Sequence, residues 1–160
     1  LFVRGDDPAD GGRSDLTVRQ MLTEARAYPD ARFSLGVTAR CGSTVPAWEH
    51  EADFWLVQAS FEPEKLIEWR RSLDYAGKIF AGVLVMASAK MAARIATDLP
   101  EINVPVELIE ALERDPDAGV HRALDLVATL QQSGAVDGVH LVPVGRYHQV
   151  ATLMRSRKID

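Results

Sequence analysis

The sequence predicts an α/β protein in which about five parallel strands alternate with helices, the pattern of a (β/α)8 TIM barrel seen in part. Three observations point there. Short apolar, β-prone runs, the plainest being Phe54-Trp55-Leu56-Val57, are separated by stretches with helical spacing. The run over residues 79–86 is almost continuously apolar, as a strand buried on both faces requires. Polar residues follow several different strand ends: Asp6 after the first, Gln58 after the third and Arg146 after the last. Five strands would also satisfy an open doubly wound sheet. That fold commonly marks its nucleotide site with a Gly-rich turn, and neither GxGxxG nor GxxxxGK[ST] occurs here.

Residues 1–4 read as the first strand, ended by Gly5-Asp6-Asp7-Pro8. Ser14 or Asp15 is placed to cap a helix whose Val18, Met21, Leu22 and Ala25 share an apolar face, ending near Tyr28 before Pro29. Residues 32–38 form the second strand, with Phe33, Leu35 and Val37 on one face, followed by the polar loop Ala39-Arg40-Cys41-Gly42-Ser43-Thr44. A short helical turn around Trp48 leads to the third strand, residues 53–57. Pro63 opens the next helix with negative charge beside it, where free amides favour it, and Leu66, Ile67 and Trp69 supply its buried side. After the fourth strand, Ser88 caps a helix over residues 89–97. Residues 99–104 are a connector, and Pro105 opens a helix carrying Val106, Leu108, Ile109 and Leu112. Asp115-Pro116-Asp117 breaks it, and a longer helix runs over residues 118–133 to a C-cap at Gly134. The fifth strand spans residues 139–144, and a helix over residues 147–154 closes the pattern before a polar tail.

A chain of 160 residues that is 47% apolar is long enough for one domain with a sizeable core. Its 18 basic and 23 acidic residues give a net charge of -5 with no dense basic block, which argues against nucleic acid or an anionic membrane as partner. No run has the length of a membrane span or the form of a signal peptide. A single cysteine, Cys41, excludes an internal disulfide framework and suits a reducing, cytoplasmic setting. Four scattered histidines and one cysteine show no metal-ligand spacing. The chain opens on Leu1 and an apolar run, so residues 1–160 are read as the C-terminal portion of a single barrel domain whose upstream strands precede these residues.

Several motifs carry a resemblance. Arg4-Gly5-Asp6 stands at a strand end as an RGD does. The stretch from Ala52-Asp53 to Val57-Gln58 is similar to a GADxxxTQ pattern, Phe61-Glu62 to an FFD, and Ala81-Gly82-Val83 to a PGI. The run from Ser133-Gly134 through Val139-His140 to Gly145-Arg146 is similar to GxxxxHFYTxNR. In this order the motifs resemble those of the methylenetetrahydrofolate reductase family, from its fourth barrel strand to its end.

The resemblance implies a flavin-dependent oxidoreductase that takes hydride from NAD(P)H through FAD, or FMN, to a folate one-carbon substrate. It implies that Asp6 tunes the flavin as the catalytic carboxylate. It also implies that Gln58 pairs with the pterin edge, that Arg146 holds the folate, and that Arg4 and Asp6 stand at the cofactor. Arg40, in the polar loop after the second strand, is the candidate for a cofactor phosphate. Departures are specific. Met91 replaces a substrate-contacting glutamine, Gly145 replaces the asparagine before the arginine, and the loop between residues 38 and 51 is shorter than the family's flavin-holding loop. They favour two alternatives: an accessory barrel that binds folate or flavin without catalysis, and a pterin-dependent methyl-transfer partner. A second copy or another chain would supply the remaining half of the barrel.

Overall fold

The computed structural model describes residues 1–3, 16–29 and 32–159. Helix α1 (Val18–Ala27) precedes strand β1 (Gly36–Ala39), a 3-10 turn (Ala47–Glu51) and strand β2 (Phe54–Val57). Helix α2 (Pro63–Ser72), strand β3 (Lys78–Leu84), helix α3 (Ala89–Asp98), a second 3-10 turn (Pro100–Ile102) and helices α4 (Val106–Arg114) and α5 (Ala118–Ser133) follow. Strand β4 (Gly138–Val142) and helix α6 (Tyr147–Arg157) complete the order.

The strands pair in parallel and in chain order, β1-β2-β3-β4, and Phe2 adds an isolated parallel bridge to Val37 on the outer side of β1. No reversal of strand order occurs among these strands, unlike the crossover point of a doubly wound sheet. Burial separates the two faces. Val37, Trp55, Ile79, Ala81 and Val83 are fully buried and share one core with Leu66 and Trp69 of α2 and Ala123, Leu124 and Val127 of α5. On the other face Phe54, Leu56, Phe80 and Val142 are half-buried, and Thr38 and His140 are exposed. A sheet wound in one direction with its helices against one face is half-barrel geometry.

Aromatic stacking anchors the covered face. The Trp55 ring stacks on that of Tyr75, centroids 3.9 Å apart and planes nearly parallel, and its Nε1 donates to the Glu49 carbonyl at 2.8 Å. The Tyr75 hydroxyl donates to the Ala52 carbonyl at 2.8 Å, and burial, aided by Asp53, pushes its pKa up to about 12. On the open face the Phe54 ring covers Gly36, where a side chain would collide with it, and the Phe80 ring covers Gly138, where an added Cβ would lie 2.9 Å from it.

Several expectations are corrected. The helix cap is Thr17, whose side chain accepts from Gln20 N–H while Gln20 answers in a capping box; Ser14 and Asp15 lie outside the described residues. Among the described residues the first predicted strand contributes one bridging residue, Phe2, and the regular strands number four. The second is confined to Gly36–Ala39, and Phe33 is exposed, because ladder pairing begins only where Phe54 stands opposite Gly36. Val106 is exposed on α4, whose buried side is Leu108 and Leu112. The last strand stops at Val142, and α6 runs on to Arg157. Pro63, Ser88 and Gly134 act as read: first-turn proline, N-cap accepting from Met91 N–H, and left-handed C-cap.

Candidate functional site

The carboxyl ends of β1 and β2 open into a cleft of about 470 Å³ lined by Arg40, Cys41, Gln58, Glu62, Lys65 and Glu101, among others. Strand β1 delivers Arg40 just past Ala39, and β2 delivers Gln58 just past Val57. The Gln58 N–H donates to the Ala39 carbonyl at 2.9 Å, so the ladder continues one step into the mouth and fixes where the Gln58 side chain begins. Gly82 of β3 allows that closeness. A Cβ there would stand 2.6 Å from the Val57 carbonyl oxygen and 2.8 Å from the Ala59 nitrogen.

Opposite these strand ends, the 3-10 turn at Pro100–Ile102 brings in Glu101. Ile102 is buried and its carbonyl accepts from Phe61 N–H at 3.1 Å, which ties this turn to the segment leading into α2. Gln58 Nε2 donates to Glu101 Oε1 at 3.3 Å, and Arg40 Nη2 lies 3.6 Å from the same oxygen. The Glu101 carboxyl is held below its ordinary range by its own backbone N–H, then by Gln58 and Arg40. Nearby, Glu62 pairs with Lys65 at 2.5 Å and accepts from Asn103 Nδ2 at 2.5 Å. Burial and the Glu62 carboxylate push the Cys41 thiol up, outweighing Lys65, so it is protonated at neutral pH and a poor nucleophile.

Arg146 follows β4 but spends its donors elsewhere. Its Nη2 donates to the Ala87 carbonyl at 2.9 Å, and its Nη1 lies 3.6 Å from Asp117. The turn before it places Val144 and Gly145 in succession at φ 42° and 76°, an uncommon conformation for a β-branched residue. The structure thus joins Arg40 and Gln58 around Glu101, and sets Arg146 against the end of β3 and the start of α5. Arg4 and Asp6 lie outside the described residues. Sequence reasoning misses Glu101, Lys65 and Asn103, and reaches Glu62 only as part of the Phe61-Glu62 motif, without a role in the cleft. Glu101 sits in a segment with the composition of a plain connector, and Pro100 followed by an acidic residue was the only local signal of a turn there.

The flavin that the resemblance implies needs cations for its phosphates. Among the described residues lining the cleft, Arg40 and Lys65 are each matched by a carboxylate, and Glu68 adds another negative charge. This donor set does not fit a pyrophosphate. It does offer an amide and a carboxylate side by side. No helix among the described residues is long and apolar enough to cross a membrane, and no group of three or more metal-ligating side chains gathers among them.

Residues 48–157, more than half of the chain, match the family model described as methylenetetrahydrofolate reductase. No curated protein matches the chain.

Proposed function

Because the chain belongs to the methylenetetrahydrofolate reductase family, we propose that it serves an oxidoreductase of that type as the C-terminal part of a (β/α)8 barrel, its cleft receiving the pterin ring of a folate one-carbon carrier. The observation that carries this reading is Gln58, an amide held at the end of β2 in the wall of the cleft. An amide presents a donor and an acceptor together, and a pterin edge does the same. The sequential strand order and one-sided helix cover support the barrel.

In this reading Gln58 orients the ring, and Trp69, largely buried at the cleft wall, gives it an apolar boundary. Arg146 holds the folate tail once its contact with exposed Asp117 exchanges for a ligand carboxylate. A second reading, an accessory barrel that binds the carrier without turning it over, is favoured by the neutralised cations Arg40 and Lys65.

Calorimetric titration of the purified protein with folic acid, FAD and FMN separates these. Folate binding that weakens at least tenfold in Gln58→Leu supports the pterin site. Flavin binding with a visible flavin spectrum restores the flavoenzyme, and folate binding without flavin supports the accessory barrel. No folate binding refutes the proposal.

A further inference from the structure

Resting on that reading, we propose that Glu101 is the specificity-determining residue of the cleft, its carboxylate accepting from the two adjacent N–H donors of a 2-amino-4-oxo pyrimidine edge while Gln58 donates to the ring carbonyl. Three features of the molecule converge on this. The first is complementarity. That edge presents donor, donor, acceptor in a row, and the cleft presents a carboxylate beside the amide donor of Gln58.

The second is exchangeability. Gln58 Nε2 and Arg40 Nη2 both address Glu101 Oε1, at 3.3 and 3.6 Å, and the carbonyl oxygen of the Gln58 amide accepts from no described residue. Both contacts are long, the Gln58 bond is only part-buried and the Arg40 side chain is exposed, so each contributes little and a ligand displaces them at small cost. The third is rigidity. The backbone carrying Glu101 is fixed by buried Ile102, by the Phe61 N–H to Ile102 carbonyl bond, and by Asn103, which closes the turn in the left-handed region at φ 54°. The depressed pKa of Glu101 keeps it ionised at neutral pH, as accepting two protons' worth of hydrogen bonds requires.

The alternative is that Glu101 plugs the cleft, neutralising Arg40 until an anionic ligand expels it. Opposite signs separate the two. Calorimetry with folic acid and with its 2-desamino-2-methyl analogue is run on the wild type, on Glu101→Gln, and on Glu113→Gln, an exposed control on α4. The proposal expects the wild type to prefer folic acid. It expects E101Q to lose about tenfold or more for folic acid and little for the analogue, and E113Q to match the wild type. A tighter or unchanged folic acid affinity in E101Q, or no preference in the wild type, overturns the role of Glu101 and leaves the pterin cleft standing. A wild type that binds neither compound overturns both.

Discussion

Replacing Gly82 by alanine tests whether the mouth of the cleft depends on backbone contact between β2 and β3. The added Cβ would lie 2.6 Å from the Val57 oxygen, 2.8 Å from the Ala59 nitrogen and 3.2 Å from Ala59 Cα, where contacts under 3.0 Å essentially do not occur. All three atoms are backbone, so no rotamer change relieves the clash, and the strands must part by about 0.4 Å at the point where Gln58 leaves the ladder. Overpacking of this kind costs about 1–3 kcal/mol. Stiffening of the unfolded chain offsets less than ~1 kcal/mol of that. For a chain of this size each kcal/mol moves Tm by about 2–4 °C, so G82A should melt roughly 2–10 °C lower. Amide hydrogen exchange at Gln58 should quicken as its bond to the Ala39 carbonyl loosens. A variant with unchanged Tm and unchanged exchange at Gln58 would show that the contact between β2 and β3 does not set where the strand ends open into the cleft.

Trp55→Ala removes a fully buried ring, its stack on Tyr75 and its bond to Glu49, and should cost about 3–5 kcal/mol in urea denaturation; a loss under ~1 kcal/mol would contradict the core described. Asp53 is held below its ordinary value of 3.8 first by the Arg26 hydrogen bond and then by the Leu35 N–H. Its ionised form therefore adds stability above that value, and the contribution is lost as pH falls through the depressed pKa. Asp53→Asn should flatten the acid limb of the stability profile between pH 5 and 2 (about), and parallel urea midpoints for the two proteins across that window would refute the linkage.

The sequence made the elements legible where one residue type has few physical options. Proline at 63, serine at 88 and glycine at 134 each marked a helix boundary, and Gln58 stood out because an amide following four apolar residues has little place inside a strand. What escaped reading depends on partners distant in the chain. Phe33 looked like strand, yet without a paired neighbour it stays in solvent. Glu101 acquires its position only because Ile102 packs into the core and binds Phe61, forty-one residues earlier by number. Arg40 was found as a cation but not as half of a pair, since its partner comes from another crossover. Arg146 was placed at the right strand end, while its orientation toward Ala87 follows from a turn through Val144 and Gly145 that periodicity does not reveal.

Phe54 over Gly36 and Phe80 over Gly138 work as a pair of keys. Parallel strands can in principle slide by a dipeptide without turning any side chain to the wrong face. Here such a slide would bring Thr38 or Ser34 to the place of Gly36, and His140 or Val136 to the place of Gly138, beneath a ring with no room for them. The two glycines thereby encode alignment, and with it the height at which every strand releases its last residue.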